Sequence, residues 1–263
     1  MDFVAVHAYL RASLAGRECR RVGPFLASFS RLSENPYFNY ALPDDGARPT
    51  AGDVQALIDA YRSRGLKPRL EYIPDLAPEV EPALLRAGFT PESTLTLMGW
   101  EVDSTSAVGP PAGIELVAPD NPADLLSVRA VQHEAYNEPA PPGEREVESL
   151  RRTIDAGGGA VLARRTEGHE AAGAGEFTPP IAGVSEITSI AVRPAYRRRG
   201  VATAMCAWLV DAAARAGATT PFLMANEAEA RIYARAGFSA QGRILHISNA
   251  MSQDGASGVW RTA

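Results

Sequence analysis

A strand that runs through a glycine into a helix restricts the fold of this 263-residue chain more than any other feature. Residues 185–192 read as a buried strand, and Arg197-Arg198-Arg199-Gly200 follow it. Beyond the glycine, Val201, Ala204, Met205, Trp208, Leu209 and Ala212 recur at the spacing of one helical stripe, which Gly217 stops. Such a strand–loop–helix unit belongs to an α/β architecture. Its loop is also a recurrent anion site, because a helix N-terminus offers unpaired amides and the positive end of the macrodipole. Gly200 lets the backbone approach a phosphate closely. The dipole alone is worth about 0.3–2 kcal/mol, so a pyrophosphate needs several amides and at least one arginine together, and the segment has both. Neither Gly-x-Gly-x-x-Gly nor Gly-Lys-Ser/Thr is present there, which sets aside the dinucleotide and Walker A alternatives.

The surrounding segments alternate in the same α/β manner. A strand at 114–117 precedes a helix over about 120–136, a Pro-rich loop at 138–143 and a polar helix near 144–155. Strands at 160–165 and 171–177 follow, then the strand and helix already described. A short strand at 221–225, a helix capped by Asn226 with Glu229 three residues on, and a strand at 241–248 complete the pattern. The small, polar, Pro/Gly-rich run 102–113 has no hydrophobic period and reads as a linker. It divides the chain into a domain at 1–101, a second at 114–250 and a flexible tail at 251–263. The first half echoes the second. Leu85-Arg86-Ala87-Gly88-Phe89 matches Tyr233-Ala234-Arg235-Ala236-Gly237-Phe238, and the stripe Val54, Leu57, Ile58, Tyr61 stopped by Gly65 matches the helix stopped by Gly217. Helix, strand, helix, Gly-Phe and strand in one order points to a tandem repeat; an unrelated α/β domain is the competing reading of the first half.

Arg197-Arg198-Arg199-Gly200-Val201-Ala202 resembles the Arg/Gln-x-x-Gly-x-Gly/Ala signature of the GCN5-related N-acetyltransferases (GNAT). Residues 186–196 look like that family's fourth strand and its exit. Asn226, Tyr233 and Gly237-Phe238 look like its later Asn-x6-Tyr-x3-Gly-Phe pattern. The resemblance spans about 114–248. It implies a mixed sheet with helices on both sides (an α/β, acyl-CoA N-acyltransferase fold) and acetyl-CoA as acyl donor, with no metal. It also implies pyrophosphate at Arg197, Arg198, Arg199, Gly200, Val201, Ala202 and Thr203, and pantetheine beside Ile190, Ala191 and Val192, bonded as an added strand would be. Asn226 and Tyr233 complete the expected cofactor contacts. The matching region of the first half, 42–53, carries no Arg-x-x-Gly-x-Ala pattern; Asp44 and Asp45 oppose phosphate and Pro49 removes an amide. That half is expected to be a degenerate GNAT-like domain.

Two side chains are candidates for the chemistry. Glu186 stands where many family members carry a glutamate base. A primary alkylamine at neutral pH is unprotonated in roughly one molecule per thousand, so a positioned carboxylate is a suitable proton acceptor. The alternative is a strand glutamate facing solvent or an arginine, and neighbouring Ser185 leaves the side-chain direction open by one residue. Tyr233 matches the tyrosine that protonates departing CoA thiolate; a phenol keeps its proton at neutral pH. Its alternative is a core aromatic under the cofactor. His133 borders the expected acceptor side, whereas His7, His169 and His246 make no metal-ligand spacing. Cys206 falls inside the helix pattern and reads as a buried structural thiol, far in sequence from Cys19.

The expected activity is acetyl transfer to an amine, on a small molecule or a protein, by direct attack without a covalent enzyme intermediate. An acyl-CoA-binding regulatory or assembly module without turnover is the alternative. A net charge of −5 argues against a nucleic-acid binder. No apolar run reaches the roughly 18 residues of a membrane span. The N-terminus lacks a basic region ahead of its apolar residues, so a cytoplasmic monomer or homodimer is expected.

Overall fold

The computed structural model describes residues 1–30, 33–100, 109–138 and 140–250. Most of the expected linker (102–108) and the expected tail (251–263) lie outside the described residues. The described residues divide into two compact units: 1–97 with 242–250, and 98–241. Among the described residues no helix is long and apolar enough to cross a membrane.

The first unit contains α1 (Phe3–Ala12), β1 (Glu18–Val22), β2 (Phe25–Phe29), β3 (Ala41–Pro43), α2 (Ala51–Arg62), β4 (Arg69–Tyr72), α3 (Val80–Arg86) and most of β5 (Phe89–Trp100). Its sheet also takes in the later part of β11 (Phe238–Asn249), in the order β1-β2-β3-β4-β11-β5. β4 and β11 are antiparallel, with Leu245 opposite Tyr72 and Ser248 opposite Arg69. Strand periodicity then sorts the faces. Leu70, Tyr72, Leu245 and Ile247 join Leu57, Tyr61 and Leu84 of α2 and α3 in one apolar core. Arg69, Glu71, His246 and Ser248 form a polar layer on the other face. Arg69 is only 1% exposed, donates Nε to Glu92 at 2.7 Å, pairs with Glu71, and stacks 4.7 Å from the Tyr37 ring.

The second unit contains β6 (Ile114–Val117), α4 (Pro122–Tyr136), α5 (Glu144–Asp155), β7 (Gly159–Arg165), β8 (Ala171–Phe177), β9 (Val184–Val192), α6 (Val201–Arg215), β10 (Thr220–Ala225) and α7 (Glu227–Ala236). Its strands run β10-β9-β8-β7-β6, antiparallel except for the parallel pair β9–β10. Leu125, Val128 and Val131 of α4 and Leu150 of α5 pack on Leu162, Ala174 and Ala191. On the opposite face, Met205 and Leu209 of α6 pack on Val161, Ala163 and Ile187. Two glycines let α6 approach: a Cβ on Gly175 would stand 2.9 Å from Leu209, and one on Gly173 3.0 Å from Met205. This is the mixed sheet between helices that the sequence predicts.

From β1 and from β7 the two halves repeat one order: three strands, a helix, a strand, a helix, a strand. The tandem arrangement read from Gly88-Phe89 and Gly237-Phe238 thus extends three strands upstream. One boundary differs from the sequence reading. Among the described residues the second compact unit ends at Gln241, and 242–250 belong with the first unit. Alternation in the last strand marks a buried face but carries no information about which strand lies beside it.

Candidate active site

The exit of β9 builds an open helix N-terminus. A 3-10 turn, Pro194–Tyr196, leads to Arg198 at φ +62° and Gly200 at φ +85°. Left-handed residues placed this closely turn successive amides toward a common concavity, the geometry of an anion nest. Gly200 is the N-cap of α6 and offers no side-chain bond; the helical ladder begins with Ala204 N donating to Gly200 O at 3.0 Å. The amides of Val201, Ala202 and Thr203 precede that ladder. A Cβ on Gly200 would meet nothing within 4 Å, so the backbone angle demands glycine while the space in front stays open. The arginines divide their roles. Arg197 Nε donates to Val192 O at 2.9 Å and ties the loop to the strand. Arg199 lies 5.8 Å from the Tyr196 ring, whose hydroxyl bonds Glu170. Arg198 is exposed.

Beside this loop the sheet opens. β10 pairs with β9 from Val184 to Glu186, and among the described residues the pairing stops there. The remaining edge of β9 is aimed by a bulge. Glu176 faces Thr188 and Ala174 faces Ala191, so β9 has one residue more than β8 between these pairs. Ser189 sits there at φ +56°, a conformation that costs a non-glycine residue about 1–3 kcal/mol. The parity change is visible on both sides. Glu186 O accepts from Thr178 N on the β8 side, and Arg193 N donates to Ala172 O on the same side, although seven residues apart would face opposite edges in a regular strand. Ile190 and Val192 consequently pack toward α6, while Ala191 turns to α4.

α4 holds this bulge. Gln132, 3% exposed, donates Nε2 to Ser189 O at 3.2 Å and to Glu176 Oε1 at 2.7 Å. Arg129 Nη1 reaches both Gln132 Oε1 (2.8 Å) and Glu176 Oε1 (2.7 Å). None of these three residues stood out in the sequence. Arg129 and Gln132 are three positions apart, but Gln132 lies 44 and 57 positions from Glu176 and Ser189, and no local pattern marks such a network.

The proposed chemical groups occupy neighbouring elements. Glu186 is half-buried, in register with Phe222, on the face opposite Ile187 and shared with Thr188 and Glu176. That resolves its direction against Ser185, which is buried and donates Oγ to Thr178 O at 2.7 Å. Tyr233 is half-buried on α7, edge-on to Phe238 with centroids 6.4 Å apart. Burial, then Cys206, Glu229 and Tyr136, push its hydroxyl above the usual phenol value. Tyr136, at the end of α4, is pushed up to about 12 by burial and the Glu229 and Glu176 carboxylates. The fold therefore gathers Tyr136, Tyr233, Glu229 and Glu176 near one another, a grouping the sequence did not pair. Asn226 is the N-cap of α7: its side chain accepts from Glu229 N at 2.9 Å and Glu229 answers on Asn226 N at 3.1 Å. Cys206 is fully buried, its thiol pushed up to about 12 by burial. His133 bridges Ala140 O and Glu146 Oε1, each at 2.9 Å, and so ties the Pro-rich loop to α4 and α5.

Residues 125–238 match the model of the acetyltransferase (GNAT) family. Over this segment the chain is similar to the GNAT acetyltransferase family. No curated protein matches it in sequence. Among solved structures, a GCN5-related N-acetyltransferase from Kribbella flavida shares 19% identity and a TM-score of 0.79, covering 96% of this chain and 97% of that one. A GCN5-related N-acetyltransferase from Sphaerobacter thermophilus has 19% identity and a TM-score of 0.64, covering 86% and 76%. A tandem GNAT protein from the clavulanic acid biosynthesis pathway has 14% identity and a TM-score of 0.61, covering 85% and 77%. At these identities the likeness is one of fold. The GNAT match contains the β9–α6 loop, Glu186 and Tyr233, and ends at Phe238, before the strand segment that joins the first unit.

Proposed function

We propose that the second unit transfers an acetyl group from acetyl-CoA to an amine. The observation that carries this reading is the open N-terminus of α6, with its left-handed Arg198 and Gly200, beside a β9 edge free of β10 beyond Glu186. The nest suits a pyrophosphate: amides at 198–203 supply donors, and Arg198 supplies charge. The free edge suits pantetheine, which carries amide groups able to bond a strand backbone. Among the described residues the first unit offers no such cradle. Its matching helix, α2, closes its own N-terminus with a capping box, Thr50 accepting from Asp53 N and Asp53 from Thr50 N. Asp44 is paired with Arg21, and Asp45 with His7 and Arg11. We read it as a degenerate GNAT-like domain.

In the proposed reaction the amine nitrogen attacks the thioester carbonyl carbon, a C–N bond forms, and the C–S bond breaks. Glu186 takes the proton that the amine gives up, directly or through water. The oxyanion that develops on the carbonyl is met by backbone amides of the β9 edge. Tyr233, kept protonated by its raised pKa, hydrogen-bonds the departing sulfur, and the thiolate gains the proton that balances the amine's loss. Calorimetric titration with acetyl-CoA tests the reading. One site per chain, weakened at least 100-fold in Gly200→Glu, is expected; two sites would assign a cradle to the first unit, and no binding at high micromolar donor would remove the acetyl-CoA assignment. Binding without thiol release across an amine screen would leave a non-catalytic acyl-CoA module.

A further inference from the structure

The bulge in β9 decides which backbone amides face the free edge. Before it, the backbone groups of Glu186 point to β8, so those of Ile187 point away. After it, Arg193 N points to β8, so the amides of Ile190 and Val192 face the open side, where Val192 O also meets Arg197 Nε. A regular strand would present 189 and 191 instead. The switch needs Ser189 in a left-handed conformation that serine disfavours. One side chain compensates. Gln132 donates one Nε2 hydrogen to Ser189 O and the other to Glu176, while its oxygen accepts from Arg129. The amide has one orientation, because the carboxylate accepts only and the guanidinium donates only. All three residues are held on packed elements, with Glu176 6% and Gln132 3% exposed.

We infer that Gln132, oriented by Arg129 and Glu176, is a positioning residue that locks the Ser189 bulge and thereby turns the Ile190 and Val192 amides to the open edge, one of them to the thioester carbonyl of the acyl donor. The inference rests on the acetyl-CoA reading above. Gln132→Met keeps the volume and removes the donor. Three measurements on the full chain test it: hydrogen exchange of amides 188–193, the acetyl-CoA dissociation constant, and the infrared carbonyl stretch of bound carbon-13-labelled acetyl-CoA. Exchange at 191 and 193, whose amides face β8, should rise at least tenfold with β7 unchanged. The carbonyl band, shifted to lower frequency in the wild-type complex, should lose half or more of that shift. The dissociation constant should change less than about fivefold, because the 198–203 amides are untouched. Adding Ser189→Gly should restore much of the shift, since glycine takes the left-handed conformation freely. If Gln132→Met fails to fold, Gln132→Asn, which withdraws the amide by one methylene, is read in the same way. An unchanged carbonyl band with exchange within twofold of wild type would overturn the inference, as would equal loss of protection throughout β7. Failure of wild type to bind acetyl-CoA would instead strike the donor reading, and the exchange arm would still report on the lock.

Discussion

In the proposed reaction Tyr233 and Glu186 have different roles, and their surroundings separate them. The Tyr233 hydroxyl is raised by burial first and by Cys206, Glu229 and Tyr136 after it. It stays protonated through the neutral and mildly alkaline range, so it contributes no alkaline limb to a rate profile below about pH 10. Tyr233→Phe keeps the ring against Phe238 and loses only the donor. Thiol release should fall about 10–100-fold with acetyl-CoA affinity within about twofold; steady-state rates beside calorimetry read both. An equal fall in affinity would make Tyr233 a binding contact. Glu186→Gln should cut turnover by about 100-fold or more and leave donor binding intact, as expected for lost proton acceptance.

Two matching helices, α2 and α6, show how an element's ends decide its use. Thr50 and Asp53 satisfy each other's backbone amides at the start of α2, so that terminus has little left to offer an anion. Gly200 leaves the start of α6 open. Thr50→Ala should lower stability by about 1 kcal/mol in urea unfolding without changing acetyl-CoA affinity. A gain of a second acetyl-CoA site in that variant would show that the cap alone silences the first unit. The open end of α6 forgoes a comparable stabilisation from capping, and its ligand is the group expected to supply it.

At the scale of the whole molecule, the last strand ties the end of the chain to the first unit. Ile247 is fully buried in that unit's core, opposite Leu70. Ile247→Ala should cost about 2–4 kcal/mol, and hydrogen exchange should rise along β4 (69–72) rather than along β10. Acid should destabilise the protein in two windows. Burial holds His7 and His246 below the usual histidine value. The unfolded chain therefore binds their protons before the folded one does, and stability falls as pH drops through about 6.5. Glu92 is pulled down to about 2: burial alone would raise it, but hydrogen bonds from Lys67, Ser248 and Arg69 prevail. Its contribution is present above about pH 4.5 and is lost between there and pH 2, about 2–4 kcal/mol. Chemical unfolding at pH 7, 5.5 and 3 measures both windows.

The sequence by itself determined the elements and the loop proposed as the cradle. Arg197-Arg198-Arg199-Gly200 before an apolar stripe is local chemistry, as are Asn226 with Glu229 and the helix stops at Gly217 and Gly237. Each depends on residues within a few positions, so each is legible along the chain. Tertiary structure alone decided the rest. It paired residues 245–248 with β4, because strand alternation names a face and never a partner. It placed the bulge at Ser189 and fixed it with Gln132, Arg129 and Glu176, because a left-handed serine is tolerable only where a distant donor meets its carbonyl. It turned Arg197 and Arg199 onto Val192 and Tyr196, because charged side chains of one run take whatever acceptor or ring the packing brings within reach.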